Sequence, residues 1–216
     1  MKKLIILGAS GGCLDIVNLI EQINKKKKKY KILGFLDDKI KKPGKLKDYK
    51  ILGKFSDVNK FSNDINFATA IGNPQNFRKI QKVIEKLNLD KKRFPKLVHP
   101  DTSISKNSKI GDGTIVFQNC TIGLNVKIGD FVNILPNSVI NHDCVIGNFC
   151  KLNTMSNLGG SVKIGKSCYI GSGTNIRDKL IIGERNLVGM SSVILKSFKK
   201  KNQTILGFPA KIKNNF

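Results

Sequence analysis

The chain's best-equipped proton acceptor is a histidine followed directly by an aspartate, His142-Asp143. An imidazole with the ordinary pKa of about 6.5 is mostly neutral near pH 7 and can take up a proton. A carboxylate beside it orients the ring and stabilises the imidazolium that forms. A bare His-Asp dipeptide is also common surface decoration, so the fold around it has to decide. A second group, Gly8-Ala9-Ser10-Gly11-Gly12-Cys13, lets backbone amides and a helix N-terminus approach a phosphate closely. It is not the G-x-G-x-x-G dinucleotide fingerprint, and a glycine-rich strand-to-helix turn without a ligand fits the spacing equally well. Asp37 and Asp38, and Gly72-Asn73 within Ala70-Ile71-Gly72-Asn73-Pro74, stand after later strands where a nucleotide would touch them. Each is also an ordinary turn residue.

The elements that must hold these groups are of two kinds. From Val98 to Ile194 every sixth residue is Val, Ile or Leu, seventeen times without a slip. Neither a helix nor simple strand alternation generates that period. Glycine often follows the apolar residue, as at Gly123, Gly147 and Gly171, and the fifth position is small or β-branched, as at Thr114, Cys120, Val132 and Ser156. Strands that turn every six residues cannot bury their apolar faces alone, so they coil and stack into a parallel β-helix. At a strand spacing of about 4.8 Å, five to six coils make a prism roughly 25 Å tall. His142 is the third residue of its hexad and should point outward near a corner. Cys120, Cys144, Cys150 and Cys168 hold the fifth position and read as small buried side chains, with neither a disulfide set nor a metal site implied. Residues 1–97 read differently: a strand over Lys3 to Leu7, the glycine turn, a helix carrying Leu14 to Ile23, a strand over Ile32 to Leu36, a loop around Pro43 and Gly44, a strand near Phe67 to Ile71 and a helix from about Gln75 to Leu87. This order predicts a small Rossmann-like α/β unit, with residues 98–216 forming the β-helix and a tail.

The net charge is +24, which by itself points toward nucleic acid. Only Arg78, Arg93, Arg177 and Arg185 are arginines, however, and bidentate phosphate or base recognition favours arginine. Nucleic acid is therefore not the expected partner, although the field would speed encounter with a small polyanion. The run Lys25 to Lys29 reads as a solvated helix end. No stretch is apolar enough to span a membrane, and the start lacks a cleavage-site pattern, so the expected location is cytoplasmic, with no membrane partner.

Through these hexads the chain resembles the left-handed β-helix of hexapeptide acyltransferases, and the left hand comes from that resemblance. A nucleotide-type unit followed directly by such a prism resembles the NeuD/PglD-type sugar acyltransferases over nearly the whole chain. The resemblance rests on Gly8-Ala9-Ser10-Gly11, Gly34-Phe35-Leu36-Asp37-Asp38, Ala70-Ile71-Gly72-Asn73, Asn141-His142-Asp143-Cys144-Val145-Ile146-Gly147 and Leu206-Gly207-Phe208-Pro209-Ala210-Lys211. It implies acetyl-CoA as co-substrate, no metal, and N-acetylation of a nucleotide-linked amino-sugar, expected to be UDP-linked, for glycan synthesis. The N-terminal unit would hold the nucleotide through Gly8, Ser10, Gly11, Gly12, Asp37, Asp38, Gly72 and Asn73. His142 would be the general base, with Asp143 orienting it. Lys151, Gly160, Met190 and Lys211 would lie toward acetyl-CoA. The resemblance also implies a homotrimer with active sites between subunits; Phe117, Phe131, Phe149, Leu135 and Leu195, off the inward positions, are then expected to be exposed along the subunit contact. Three positions depart from the family pattern: Gly12 where a histidine near the diphosphate is usual, Leu135 where an asparagine precedes the base, and Lys151 where many members carry a second histidine. They leave open a sugar O-acetyltransferase of the sialic-acid type, and a non-catalytic nucleotide-sugar-binding protein.

Overall fold

The computed structural model describes residues 1–39 and 44–213. The C-terminal part is a left-handed β-helix with three flat sides. Seventeen two-residue strands, from Leu97–Val98 to Val193–Ile194, fall in turn on three parallel sheets, and each strand pairs with those eighteen residues before and after it. The second residue of each strand points inward, so Ile122, Ile140, Leu158 and Ile176 form one column of the core.

Each corner repeats one conformation. From Ile110 to Ile194 the residue three places before each inward apolar has positive φ, as at Asn125, Asn137, Asp143 and Ser161. Asn, Asp and Gly adopt this left-handed region most readily, which explains much of the repeat's composition. The next residue faces the interior, and where it carries a donor it uses it on a carbonyl of the adjacent coil: Thr114 Oγ1 donates to Gly129 O at 2.8 Å and Cys144 Sγ to Gly159 O at 3.1 Å. Cys150 and Cys168 bond Gly165 O and Gly183 O in the same way, at 3.0 Å each. A thiol therefore replaces a hydroxyl in this ladder. All five cysteines are buried and free.

The N-terminal part is a twisted sheet of β1 (Lys2–Leu7), β2 (Tyr30–Leu36), β3 (Lys45–Leu46), β4 (Tyr49–Gly53) and β5 (Asn66–Thr69), in the order β3-β4-β2-β1-β5 with β3 antiparallel at the edge. Helix α1 (Gly12–Lys26) buries Ile16, Val17, Leu19, Ile20 and Ile23 against it. The β3–β4 hairpin and the 3-10 turn Phe55–Lys60 carry no strong period, and the sequence did not announce them. The helix expected over Gln75 to Leu87 divides into a 3-10 turn, Phe77–Lys79, and α2 (Ile80–Lys86), because Asn73 and Asn76 bond each other's backbone and tie the segment before it into a turn. The predicted loop at Pro43 lies outside the described residues.

One expectation is corrected here. Phe117, Phe131 and Phe149 do not sit on an exposed face awaiting another subunit; all three are buried. Phe131 stacks on Phe149 with centroids 5.2 Å apart and meets Phe94 edge-on at 5.0 Å, while Phe117 packs with Leu97 and the α1 core. Leu135 is half-buried in the same region, and of the five only Leu195 is exposed. The eight-stranded side of the prism is thus covered by the chain's own N-terminal part. Outside the apolar contact, Arg78 Nε donates to Arg185 O at 2.9 Å, and Arg185 Nη1 returns a longer bond to Arg78 O at 3.3 Å.

Candidate active site

His142 occupies the corner between the strands Val139–Ile140 and Val145–Ile146. The backbone there is tied to both neighbouring coils: Asp143 N donates to Leu124 O and Ser161 N to His142 O, each at 2.8 Å. His142 Nδ1 lies 2.8 Å from Asp143 Oδ2. The His142 hydrogen bond, followed by one from Asn125 Nδ2, holds the Asp143 carboxyl below its ordinary range. An ionised Asp143 can only accept, so Nδ1 carries the proton and Nε2 is left with a free lone pair. Gly160, one coil on, lies directly against the ring: a Cβ there would stand 2.6 Å from both Nε2 and Cε1. The other histidine, His99, is buried, and its Nδ1 accepts from Asp101 N at 3.1 Å. That ring caps a turn.

A cavity of about 380 Å³ lies at the carboxyl ends of β1, β2 and β5, where α/β sheets bind ligands. Gly8, Ser10, Gly12, Asp37, Asp38, Gly72 and Asn73 line it; Gly11 is in the same loop but off the wall. The N-terminus of α1 has no side-chain cap at Gly11, which leaves orphan amides facing the cavity. Asp37 is already engaged, accepting from Ala9 N and Lys39 N at 2.7 Å each, so it shapes the loop. Asp38 fixes the opposite wall by accepting from Phe55 N at 2.9 Å. Sequence reading missed Phe55, Asn76, Lys79, Ile80 and Val83 on that wall. Their signal was weak because they come from short turns and from α2, not from a periodic element.

The four residues expected near the coenzyme are dispersed within one protomer. Gly160 is at the His142 edge, whereas the exposed Met190 is at the other edge of the six-stranded side. Lys211 lies in the terminal hairpin and lines a groove of about 480 Å³ with Lys196, Phe198, Lys199 and Lys200. Lys151, on the eight-stranded side, reaches into the nucleotide-type cavity, where its Nζ donates to Gly72 O at 2.9 Å. The two candidate centres are also apart. In a three-sided prism each edge faces away from one side, and the His142 edge, between the six- and five-stranded sheets, is the one opposite the covered side.

Two family models match this chain: the PglD N-terminal domain over residues 3–84 and the bacterial transferase hexapeptide (six repeats) over residues 125–160. The acetyltransferase domain of PglB from Neisseria gonorrhoeae FA1090 superposes with a TM-score of 0.85 at 25% identity, covering 99% of this chain and 100% of that one. The chain thus carries both parts of a NeuD/PglD-type sugar acyltransferase, a PglD N-terminal domain and hexapeptide repeats. A second structure of that PglB domain, matched at the same TM-score of 0.85, is in complex with acetyl coenzyme A. WeeI from Acinetobacter baumannii AYE matches at 25% identity and a TM-score of 0.70, over 97% of this chain and 99% of that one. A perosamine N-acetyltransferase from Caulobacter crescentus, in complex with CoA and GDP-perosamine, shares the fold at 21% identity, with a TM-score of 0.85 over 99% of this chain and 97% of that one. No curated protein sequence matches. Among the described residues no helix is long and apolar enough to cross a membrane, and no cluster of His, Cys, Asp or Glu could hold a metal ion.

Proposed function

We propose that this chain is an acetyl-CoA-dependent N-acetyltransferase acting on the amino group of a UDP-linked amino-sugar, and that it works as a homotrimer. Residues 1–97 hold the nucleotide sugar and residues 98–216 carry the transfer chemistry. The observation that carries the reading is the His142–Asp143 pair, with Nδ1 engaged at 2.8 Å, Nε2 free, and glycine beneath the ring. In the proposed reaction the sugar amine attacks the thioester carbon of acetyl-CoA while Nε2 takes the amine's proton. The C–S bond of the tetrahedral intermediate then breaks, and the imidazolium returns the proton to the departing thiolate. Backbone amides at the coil corner, Gly160 among them, are the candidate donors to the oxyanion. The acetyl-CoA complex of the similar PglB domain supports the choice of donor.

Three observations support a shared site. The His142 edge points away from the side where the protomer's own cavity lies, so a neighbour's edge has to supply the base. The outward residues of the six-stranded side, Ser103, Thr121, Val139, Asn157, Asn175 and Val193, are all uncharged, whereas the five-stranded side presents Lys109, Lys127 and Lys163 to solvent. Exposed Leu124 and Leu195 flank the uncharged side at one edge, and Met155 and Met190 at the other. That side is the one fit to meet a second copy.

The test is thiol release from acetyl-CoA against a panel of UDP-, GDP-, TDP- and CMP-sugars, with product linkage determined by mass spectrometry. His142→Ala should retain its fold and lose at least a hundredfold in kcat, in line with typical general-base contributions of about 10²–10⁴. An ester product in place of an amide would turn the assignment to O-acetylation. An inactive parent protein that still binds nucleotide sugars would leave a binding module.

A further inference from the structure

Lys151 is out of character for its surroundings. The outward residues on the covered side of the prism run Leu97, Ile115, Asn133, Lys151, Tyr169, Leu187, one per coil, and the other lysines in the two-residue strands of the coils, Lys109, Lys127 and Lys163, all lie on the exposed five-stranded side. Here an ammonium is carried into the junction between prism and N-terminal unit. Burial pushes its pKa down, and Asp15, which lines the smaller of the two spaces beside it without pairing with it, offsets this only in part. Among the described residues its one hydrogen bond is to Gly72 O, and no carboxylate pairs with it. An ammonium has three donors, so two remain to be satisfied.

Those donors belong to a group on the wall of two adjoining spaces. One is the cavity of about 380 Å³ that also holds the glycine loop and the uncapped start of α1. The other, about 60 Å³, lies behind it and contains the buried Asn133 Oδ1, which has no partner. Space also stands open on the loop side, since a Cβ added at Gly11 or Gly12 would meet nothing within 4 Å. The loop therefore contributes amides and no cationic side chain of its own. The other lysines on the wall, Lys39 and Lys79, are exposed and screened.

Building on the nucleotide-sugar reading above, we propose that Lys151 is the cation that binds the diphosphate of the nucleotide sugar, reaching it from the prism across the domain junction, and that it is not a coenzyme contact. A diphosphate over the glycine loop satisfies the spare donors and removes the cost of an unpaired buried charge. Because Lys151 alone in this wall belongs to the prism, nucleotide affinity then depends on the junction as well as on the loop.

Calorimetric titration of the full-length protein tests this, with UDP, uridine and acetyl-CoA as probes for the parent, Lys151→Met and Lys151→Arg. Loss of a charge-assisted contact should weaken UDP binding by about tenfold to a hundredfold in Lys151→Met. Uridine and acetyl-CoA affinities should stay within about twofold, and Lys151→Arg should recover part of the UDP affinity. Unchanged UDP affinity, equal losses for UDP and uridine, or a loss confined to acetyl-CoA would each overturn the assignment. Should Lys151→Met misfold by circular dichroism, the UDP-to-uridine affinity ratio of Lys151→Arg and Lys151→Gln decides it, Gln being expected to lose the preference that Arg keeps. A parent that binds neither UDP nor GDP would instead refute the nucleotide-sugar reading itself.

Discussion

At the scale of residues, the site works by what is withheld as much as by what is present. Gly160 leaves the His142 ring its place: a methyl there would come within 2.6 Å of Nε2, and its own φ is not in the glycine-only region, so the backbone itself would accept alanine. The clash then falls on the imidazole, which is exposed and free to swing aside. Gly160→Ala should therefore lower kcat by tenfold or more, in keeping with the sensitivity of catalysis to about 1 Å of misplacement. Its melting temperature should stay close to the parent's, which circular dichroism would check alongside the thiol-release rate. A melting loss with normal kcat would mean that the glycine serves the coil alone. Asp143 sets the tautomer, and because its carboxyl is held below the usual range it remains ionised through the whole pH window in which an imidazole titrates. This carboxylate therefore does not set an acid limb of the rate in that window. The few arginines show a parallel economy: Arg78, Arg93 and Arg185 each spend guanidinium donors on backbone carbonyls, a forked geometry that lysine does not provide.

At the scale of elements, the corner conformation and the packing of the two units pull against each other at two positions. Phe131 and Phe149 hold positive φ, at 56° and 61°, where most coils place Asn, Asp, Ser or Gly. A bulky residue there costs about 1–2 kcal/mol, yet deleting a buried phenylalanine costs about 3–5 kcal/mol, so packing wins. Phe131→Asn should accordingly relax the corner and still destabilise the protein by about 1–4 kcal/mol net, read as a shift of the denaturant midpoint at constant m. A stabilised variant would show that the ring stack contributes little. The same pair shows what the sequence could convey. The hexad assigns each residue to the inside or outside of the prism, and every inward column was legible from it. It does not say what covers the outside, and so these rings were expected at a subunit contact. Regrouping by eighteen residues would have helped: Leu97, Ile115, Tyr169 and Leu187 share one side and are too apolar for a solvated surface, which marks the covered side and exposes Lys151 as the exception. The division of the helix after Pro74 was not legible, because it depends on which side chains bond the backbone there. The glycine loop and Asp37 were legible as a cluster, although Asp37 turns its oxygens to backbone amides and shapes the wall.

At the scale of the whole molecule, the three sides of the prism have three fates: one carries the N-terminal unit, one is lysine-rich and solvated, and one is uncharged with apolar rims. The cavity belongs to the first side and His142 to the edge farthest from it, so on the proposed reading a protomer on its own holds two half-sites that do not meet. In the proposed homotrimer, cyclic symmetry would make this arrangement productive, since every protomer could offer its edge to one neighbour and its cavity to the other. The consequence can be separated from ordinary folding effects by complementation. His142→Ala removes the proposed base but leaves the cavity; Gly12→Phe fills the open space at the loop but leaves the edge. Each variant alone should be inactive. Co-expressed and mixed at random in trimers, they place an intact cavity against an intact edge at about one junction in four, so roughly a quarter of parental activity should return, with the trimer mass verified by light scattering. If both halves of a site came from the same protomer, every protomer in the mixture would carry a lesion and no activity would return. Mixing the two separately purified proteins without exchange of subunits should also stay inactive, which ties any recovery to shared junctions.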